Sequence, residues 1–168
     1  CYQDAGIRRV IATPHFIPGT AWAADCGSIV EIAKNLQAVI DSHEIDLEII
    51  PGMEIAFHSR IVERICSGQV LPLGNSKHFL IEPPLSGIDE TLVERLIELL
   101  SKGIKIIIAH PERVEIFQKK RAFLGKLVSY GAKVQVNSGS LLGYFGRAAE
   151  NMALELMIND QLHFFASD

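Results

Sequence analysis

The chain has 168 residues, of which 48% are apolar and 21% are charged, and its formal net charge is −4. This length and apolar content suffice for one domain with a hydrophobic core, so a disordered chain is excluded. No Lys- and Arg-rich stripe marks a nucleic-acid interface, and no apolar run approaches the roughly 20 residues of a membrane-spanning helix. We therefore expect a soluble protein that neither binds nucleic acid nor inserts into a membrane.

The elements predicted in chain order alternate between short β-branched runs and longer segments of helical period. This order indicates β-α units around a mainly parallel sheet, an α/β fold. The predicted strands are residues 8–13, 47–50, 53–57, 78–82, 104–109, 132–136 and 163–166. The predicted helices are residues 28–42, 59–66, 89–102, 115–129 and 147–159. No linker or repeat divides the chain, so residues 1–168 are predicted to form a single domain.

Two of the predicted helices have a clear apolar side. In residues 89–102, Asp89 is placed to cap the start and Gly103 to end the helix. In residues 28–42, the predicted buried side consists of Ile29, Ile32, Ala33, Leu36, Val39 and Ile40.

Cysteine usage and the start of the chain bear on its cellular context. Cys1, Cys26 and Cys66 form an odd and scattered set without a Cys-x-x-Cys pair, which argues against a disulfide framework and favours a reducing cytoplasm. Nothing near Cys1 resembles a signal peptide, so we expect the start to be cut rather than processed.

Polar side chains follow almost every predicted strand. They are His15, Glu54, Glu82, His110, Asn137 and Asp168. The carboxyl ends of parallel barrel strands share one open face, where catalytic residues gather. Histidine and carboxylate ligands without a thiolate suit manganese, iron or zinc, and such clusters activate water for phosphoryl displacement. Arg113, close to His110, is placed to hold a phosphate through its planar fork of donors.

Each of these residues also has a structural interpretation. A buried histidine is often a satisfied core residue, and a carboxylate at a strand end is often a helix cap, as Asp168 could be. Their joint placement at strand ends favours a shared function. The remaining histidines lack this placement and are predicted to be structural or exposed: His43, His58, His78 and His163.

Several familiar catalytic motifs are absent from the sequence. It has no His-Glu-x-x-His pair, no Walker phosphate-binding loop, no Gly-x-Ser-x-Gly elbow, and no cysteine followed by an arginine at phosphatase-loop spacing. A phosphatase built on this sequence would therefore have to use metal.

Six short runs carry a resemblance that spans the chain: residues 12–15 (ATPH), 51–54 (PGME), 79–83 (FLIEP), 108–113 (IAHPER), 134–140 (VQVNSGS) and 165–168 (FASD). In order and spacing they resemble the PHP (polymerase and histidinol phosphatase) superfamily. The most similar branch is the bacterial manganese-dependent tyrosine phosphatases of capsule and exopolysaccharide loci, the CpsB/CapC type. The resemblance implies a distorted seven-stranded β/α barrel with two or three divalent ions, commonly manganese, at its open end.

The resemblance also implies a role for each matching residue. Glu54 would bridge two metals, His110 and Glu82 would complete the inner cluster, and His15 would bind the outer metal. Asp168 would be the aspartate of a closing Asp-x-His motif. These five residues are the predicted metal ligands.

Two further residues lie at the rim of the predicted site. The resemblance implies that Arg113 holds the substrate phosphate, so Arg113, Glu54 and His110 are the predicted catalytic residues. Asn137 has two interpretations, as part of the metal rim or as an amide that satisfies the turn before a helix.

The sequence departs from the family pattern at both ends. The His-x-His motif expected near Tyr2 is absent, and the histidine expected two residues after Asp168 is not present. A β/α barrel usually needs about 250 residues. We therefore expect a truncated barrel that lacks part of its ligand set and could be inactive as it stands.

The resemblance implies an enzyme that hydrolyses phosphotyrosine on protein. Its expected partner is the tyrosine-rich tail of a kinase that drives polysaccharide export, and a homo-oligomer is possible. Two alternatives remain open: another PHP phosphoesterase, of the histidinol phosphatase or nuclease type, and a non-catalytic regulatory barrel that has lost its metals. The negative net charge weighs against the nuclease.

Overall fold

The computed structural model describes residues 4–87 and 91–168. Its strands are β1 (Arg9–Ala12), β2 (His15–Phe16), β3 (Glu48–Pro51), β4 (Glu54–Ala56), β5 (His78–Glu82), β6 (Lys105–Ala109), β7 (Lys133–Asn137) and β8 (Phe164–Ala166). Its α-helices are α1 (Cys26–Ser42), α2 (Ile61–Cys66), α3 (Thr91–Ser101), α4 (Glu115–Lys119), α5 (Arg121–Ser129), α6 (Ser138–Leu141) and α7 (Arg147–Ile158). A 3-10 turn spans Pro111–Arg113.

All strand pairs among the described residues are parallel. Six strands form one sheet in the order β2-β4-β5-β6-β7-β8, while β1 and β3 pair separately. The predicted α/β fold with a parallel sheet is therefore confirmed, although the described strands form two sheets rather than one closed barrel. Within residues 4–87 and 91–168, no helix is both long enough and apolar enough to cross a membrane.

Most predicted elements are confirmed within two residues, and the differences have local causes. β2 was not predicted because it has only two residues and directly follows a proline. The helix predicted over 115–129 is divided at Lys120, whose backbone (φ −128°, ψ 72°) is not helical. The predicted cap Asp89 lies outside the described residues, whereas Gly103 ends its helix with a φ of +77°, which glycine adopts at little cost.

The pleat of the central strands separates two apolar layers. Along β6, Ile106 and Ile108 face the main core beneath the helices, while Ile107 joins a smaller cluster with Leu80 on the opposite side. Because side chains alternate along a strand, Glu82 shares the face of Leu80. The sheet thus directs its terminal carboxylates away from the helix-packed core.

The prediction for the buried side of α1 is only partly right. Ile29, Ala33 and Ile40 are buried, but Ile32, Leu36 and Val39 are 64%, 45% and 55% exposed. The helix packs one stripe against β3, and no described residue covers the adjacent apolar stripe. It begins at Cys26, two residues before the predicted start, because the Asp25 side chain accepts the Ser28 N–H at 3.0 Å and caps it.

Candidate metal centre

Four predicted ligands lie on, or directly after, four neighbouring strands of the six-stranded sheet. His15 begins β2 and stands in register with Glu54, the first residue of β4. Glu82 ends β5 in register with Ala56 of β4, and His110 directly follows β6. Since β2, β4, β5 and β6 are consecutive in the sheet, their ends converge on one edge.

A close backbone approach fixes the position of Glu54. Its N–H donates to the Pro14 carbonyl at 3.1 Å, and the Gly52 N–H donates to the Ala12 carbonyl at 3.0 Å. A Cβ on Gly52 would lie 3.1 Å from the side chains of Ile11 and Leu73. Glycine at this position therefore allows the two segments to pack closely enough for Glu54 to lie beside His15.

The two histidines and two glutamates alternate around one centre. The His15 Nε2 atom lies 3.7 Å from Glu54 Oε2 and 3.5 Å from Glu82 Oε2. The His110 Nε2 atom lies 3.3 Å from Glu54 Oε1 and 3.4 Å from Glu82 Oε1. We call these four residues the His/Glu cluster.

Burial and charge within the His/Glu cluster shift two of its pKa values. Burial alone would lower the pKa of His110, but its close polar contacts with the Glu54 and Glu82 carboxylates and the negative charges of both outweigh it and raise that pKa to about 9. The hydrogen bond from His110 lowers the pKa of Glu82, against the opposing effect of burial. A cation at this point therefore stabilises two carboxylates that would otherwise repel each other.

The His/Glu cluster fits a divalent metal ion. Ligand atoms of His15, Glu54 and Glu82 all lie within 4.8 Å of one another. Glu54 is only 4% exposed, and its Oε1 has no well-aligned hydrogen bond from any described residue, although His110 Nε2 is 3.3 Å away. An unsatisfied buried carboxylate oxygen facing imidazole nitrogens is typical of a ligand set for manganese, iron or zinc.

The backbone at His110 turns sharply where β6 ends. His110 adopts a left-handed conformation (φ 32°, ψ 53°), which is strained for a residue with a side chain, and its carbonyl accepts the Arg113 N–H at 3.0 Å. The turn aims the imidazole at the His/Glu cluster and brings Arg113 to the rim. The positive charge of Arg113 contributes to the lowered pKa of Glu82.

Asp168 and Asn137 lie with Arg113 rather than in the His/Glu cluster. Asp168 Oδ2 accepts from Arg113 Nη1 at 3.3 Å and from Asn137 Nδ2 at 2.6 Å. The Arg113 guanidinium carbon also lies 4.1 Å from the centre of the Phe145 ring. We call Arg113, Asn137, Phe145 and Asp168 the Arg cluster. The metal role of Asp168 stays a prediction.

Asn137 does not behave as a turn-satisfying amide. Its side chain makes no capping hydrogen bond to α6, so that interpretation is wrong. The amide nitrogen binds Asp168 instead, and its Oδ1 is buried without a hydrogen bond from any described residue. Asn137 thus contacts Asp168 rather than the turn before α6.

Glu112 is a supporting residue that was not predicted from the sequence. It is fully buried, and its Oε1 accepts the Asn137 N–H at 3.1 Å and the Ser140 hydroxyl at 2.6 Å. Burial raises the pKa of this carboxyl. Its only sequence signal is its place between His110 and Arg113, because both of its partners lie far along the chain.

The remaining histidines, predicted to be structural or exposed, are half-buried (His58, His78) or exposed (His43, His163). The Nδ1 of His43 lies 2.8 Å from the Val39 carbonyl at the end of α1, and that of His163 lies 3.2 Å from the Val134 amide nitrogen. Burial lowers the pKa of both His58 and His78. None of the four belongs to the His/Glu cluster.

A cavity of about 560 Å³ opens beside the His/Glu cluster. His15, Glu54 and Asp168 line it together with apolar side chains of β1, β5, β6 and β8. The two clusters therefore border a space that is large enough for a small ligand.

Comparison with known proteins identifies the family of this chain. The chain matches the family described as capsular polysaccharide synthesis, CpsB/CapC, over residues 1–168. It belongs to the CpsB/CapC family. This match confirms the resemblance seen in the six sequence runs.

Individual members of the CpsB/CapC family match nearly the whole chain. Tyrosine-protein phosphatase YwqE of Bacillus subtilis is 34% identical over 163 residues, which are 97% of this chain and 64% of YwqE. Tyrosine-protein phosphatase CpsB of Streptococcus pneumoniae is 26% identical over 171 residues, with 97% of this chain and 69% of CpsB covered. The chain thus spans less than two thirds of the length of YwqE.

A solved structure confirms the fold. It comes from work on YwqE from Bacillus subtilis and CpsB from Streptococcus pneumoniae, described there as unique metal-dependent tyrosine phosphatases. The TM-score is 0.90 at 33% identity, over 99% of this chain and 67% of the solved one. The α/β architecture found here is therefore the architecture of that structure.

Proposed function

We propose that this protein is a metal-dependent phosphatase that hydrolyses phosphotyrosine on proteins, with residues 1–168 acting as one domain. The observation that carries the proposal is the His/Glu cluster, four interleaved ligand side chains with the Arg113 guanidinium beside them. A cation site and an anion site placed side by side are what phosphoryl transfer requires.

The proposed metal ligands are His15, Glu54, Glu82 and His110, with Asp168 added on the resemblance alone. Two or three divalent ions are proposed, with manganese expected and iron or zinc also suited to these ligands. When bound, such ions would supply an activated water and neutralise charge on the phosphoryl oxygens. Among the protein groups, Glu54 would serve both sides of the site, because its two carboxylate oxygens face different histidines.

Arg113 is the proposed phosphate-binding residue. Its guanidinium offers several donors in a planar fork that matches two phosphoryl oxygens at once. The Arg113 side chain is only 23% exposed and already contacts Phe145 and Asp168, so it does not have to move in from solvent to bind a phosphate. A phenolate leaves more readily than an alkoxide, which favours phosphotyrosine over phosphoserine.

The proposed physiological substrate is the tyrosine-rich tail of a kinase in polysaccharide export. The family description, capsular polysaccharide synthesis, and the tyrosine phosphatase relatives support this proposal. The same comparisons favour a phosphatase of phosphotyrosine over one of histidinol phosphate.

The experiment that tests this function measures metal content and hydrolysis on the same purified sample. Manganese-loaded protein is given a phosphotyrosyl peptide, the matching phosphoseryl peptide and histidinol phosphate, with chelator-treated protein as the control. We expect bound metal and hydrolysis of the phosphotyrosyl peptide above both competitors. Preference for histidinol phosphate would indicate the other phosphoesterase, and no bound metal with no turnover would indicate a non-catalytic barrel.

A further inference from the structure

A five-residue loop between α6 and α7 exposes three large apolar side chains next to the Arg cluster. Residues 142–146, which we call the aromatic loop, have the sequence Leu-Gly-Tyr-Phe-Gly. Leu142, Tyr144 and Phe145 are 66%, 77% and 45% exposed. Contiguous exposed apolar side chains commonly mark a binding surface.

The backbone holds the aromatic loop in one shape. Gly143 and Gly146 have φ values of +77° and +87°, and the Tyr144 N–H donates to the Gly139 carbonyl at 3.0 Å. A Cβ on Gly139 would lie 3.0 Å from the Phe145 ring and 3.3 Å from the Tyr144 ring. Both rings therefore pack over the same glycine.

One of these rings touches the proposed phosphate-binding residue. The Phe145 ring centre lies 4.1 Å from the Arg113 guanidinium carbon, a stacking distance. Asp168 contacts Arg113 Nη1 at 3.3 Å. The guanidinium is thus held between an aromatic face and a carboxylate, and the rest of the aromatic loop extends outward from this point.

We propose that Tyr144 and Phe145 form an aryl-binding wall that receives the phenol ring of a phosphotyrosyl substrate. This inference rests on the proposed phosphatase function. Tyr144 is the residue that contacts the substrate ring and determines specificity, while Phe145 is a positioning residue that holds Arg113.

The side chains at and beside the aromatic loop favour an aryl phosphate as the ligand. The Arg113 guanidinium binds anions, and the adjoining rings favour an apolar, preferably aromatic, group attached to that anion. An aryl phosphate carries both groups one bond apart. An alkyl phosphate would satisfy Arg113 but would leave the exposed faces of the rings in water.

The test compares two non-hydrolysable ligands on manganese-loaded protein by isothermal titration calorimetry. Phenylphosphonate carries the ring, and methylphosphonate carries the same anionic group without it. We expect the native chain to bind phenylphosphonate more tightly, and Tyr144→Ala to weaken that binding about 3- to 10-fold, the range measured for aromatic pairs, without changing methylphosphonate binding.

Two further variants make the result specific. Phe145→Leu should weaken both phosphonates, because Arg113 loses its stacking partner, while metal content stays constant. Tyr130→Ala is the matched control, since Tyr130 is 52% exposed but caps α5 at the opposite end of the sheet. It should change neither affinity.

The outcomes separate this inference from the function on which it rests. If Tyr144→Ala changes both affinities equally or neither, or if the native chain binds both ligands equally while hydrolysing aryl phosphate, the aryl-binding wall is wrong and the phosphatase stands. If the native chain binds neither phosphonate and hydrolyses no phosphate ester, both proposals fall.

Discussion

The His/Glu cluster and the Arg cluster are neighbours with opposite electrostatic preferences. In the His/Glu cluster, two carboxylates face two imidazole nitrogens at 3.3 to 3.7 Å, and one buried carboxylate oxygen lacks a well-aligned partner among the described residues. In the Arg cluster, a guanidinium rests on an aromatic ring and a single carboxylate. The first arrangement suits a cation and the second suits an anion.

One short segment serves both clusters. His110 belongs to the His/Glu cluster and Arg113 to the Arg cluster, and only Pro111 and Glu112 lie between them. Between these two residues, Glu112 ties the turn to Asn137 and Ser140. Metal binding and substrate binding should therefore be separable by mutation, even though the same turn supports both clusters.

The largest effect should come from Glu54, the more buried of the two glutamates that face both histidines. Glu54→Gln removes the charge that a metal ion needs, so we expect bound manganese to fall and hydrolysis to drop about 100- to 1000-fold, as for loss of a strong electrostatic stabiliser. Metal analysis and kcat/KM measure these effects. Glu63→Gln, in an exposed pair with Arg60, is the matched control and should change neither. Normal metal content and activity in Glu54→Gln would refute the role of Glu54.

The His/Glu cluster should also make the stability of the metal-free protein depend on pH. The pKa of His110 is about 9 in the folded state, against about 6.5 when unfolded. This interaction stabilises the fold fully below pH about 6.5 and is lost as the pH rises through 9, a change of about 3 kcal/mol. Urea denaturation of chelator-treated protein across this range measures it.

Saturating manganese provides the control for this pH dependence. A bound cation replaces the proton, so we expect the stability of the loaded protein not to fall between pH 6.5 and 9. A metal-free protein that is equally stable at both ends of this range would contradict the interaction of His110 with Glu54 and Glu82.

Substitution of Arg113 should weaken substrate binding without changing metal binding. We expect Arg113→Gln to weaken phosphonate binding about 10- to 100-fold, the usual value of hydrogen bonds to charged groups, while manganese content stays unchanged. Calorimetry and metal analysis on one sample provide both readings. A joint loss of metal and phosphonate would mean that the two clusters act as one unit.

The smallest expected effect comes from Asp168, a member of the Arg cluster. Because Asp168 competes with a phosphate for Arg113 through a partly exposed contact, Asp168→Asn should tighten phosphonate binding about 3-fold on protein that carries its full metal content. A fall in metal content would instead assign Asp168 to the metal ligands, as the resemblance implies.

The sequence predicts the features that follow from strand order. It does not predict contacts that depend on how segments distant along the chain pack together. His15, Glu54, Glu82 and His110 were identified because polar residues at the ends of consecutive parallel strands must converge, and the structure places all four together. The contact of Arg113 with Phe145 could not be predicted, because it depends on how the segment after β7 folds back over Gly139.

Helix α1 shows the same limit in packing. Its apolar residues predicted a broad buried side, but periodicity does not reveal how wide a partner the helix meets, and Ile32, Leu36 and Val39 remain exposed. Likewise, the divided helix at Lys120 has no breaker such as proline or glycine to indicate it.

The spacing of the His/Glu cluster along the chain has a consequence for how the protein folds. Its four ligands come from four separate strands and are several tens of residues apart, so no short segment contains a pair of them. Closing such long loops is slow compared with forming a helix, and every strand from β2 to β6 must be docked before all four side chains meet. A refolding chain should therefore acquire helical circular dichroism first and capture manganese later, so that uptake of the ion reports when strands β2, β4, β5 and β6 have paired.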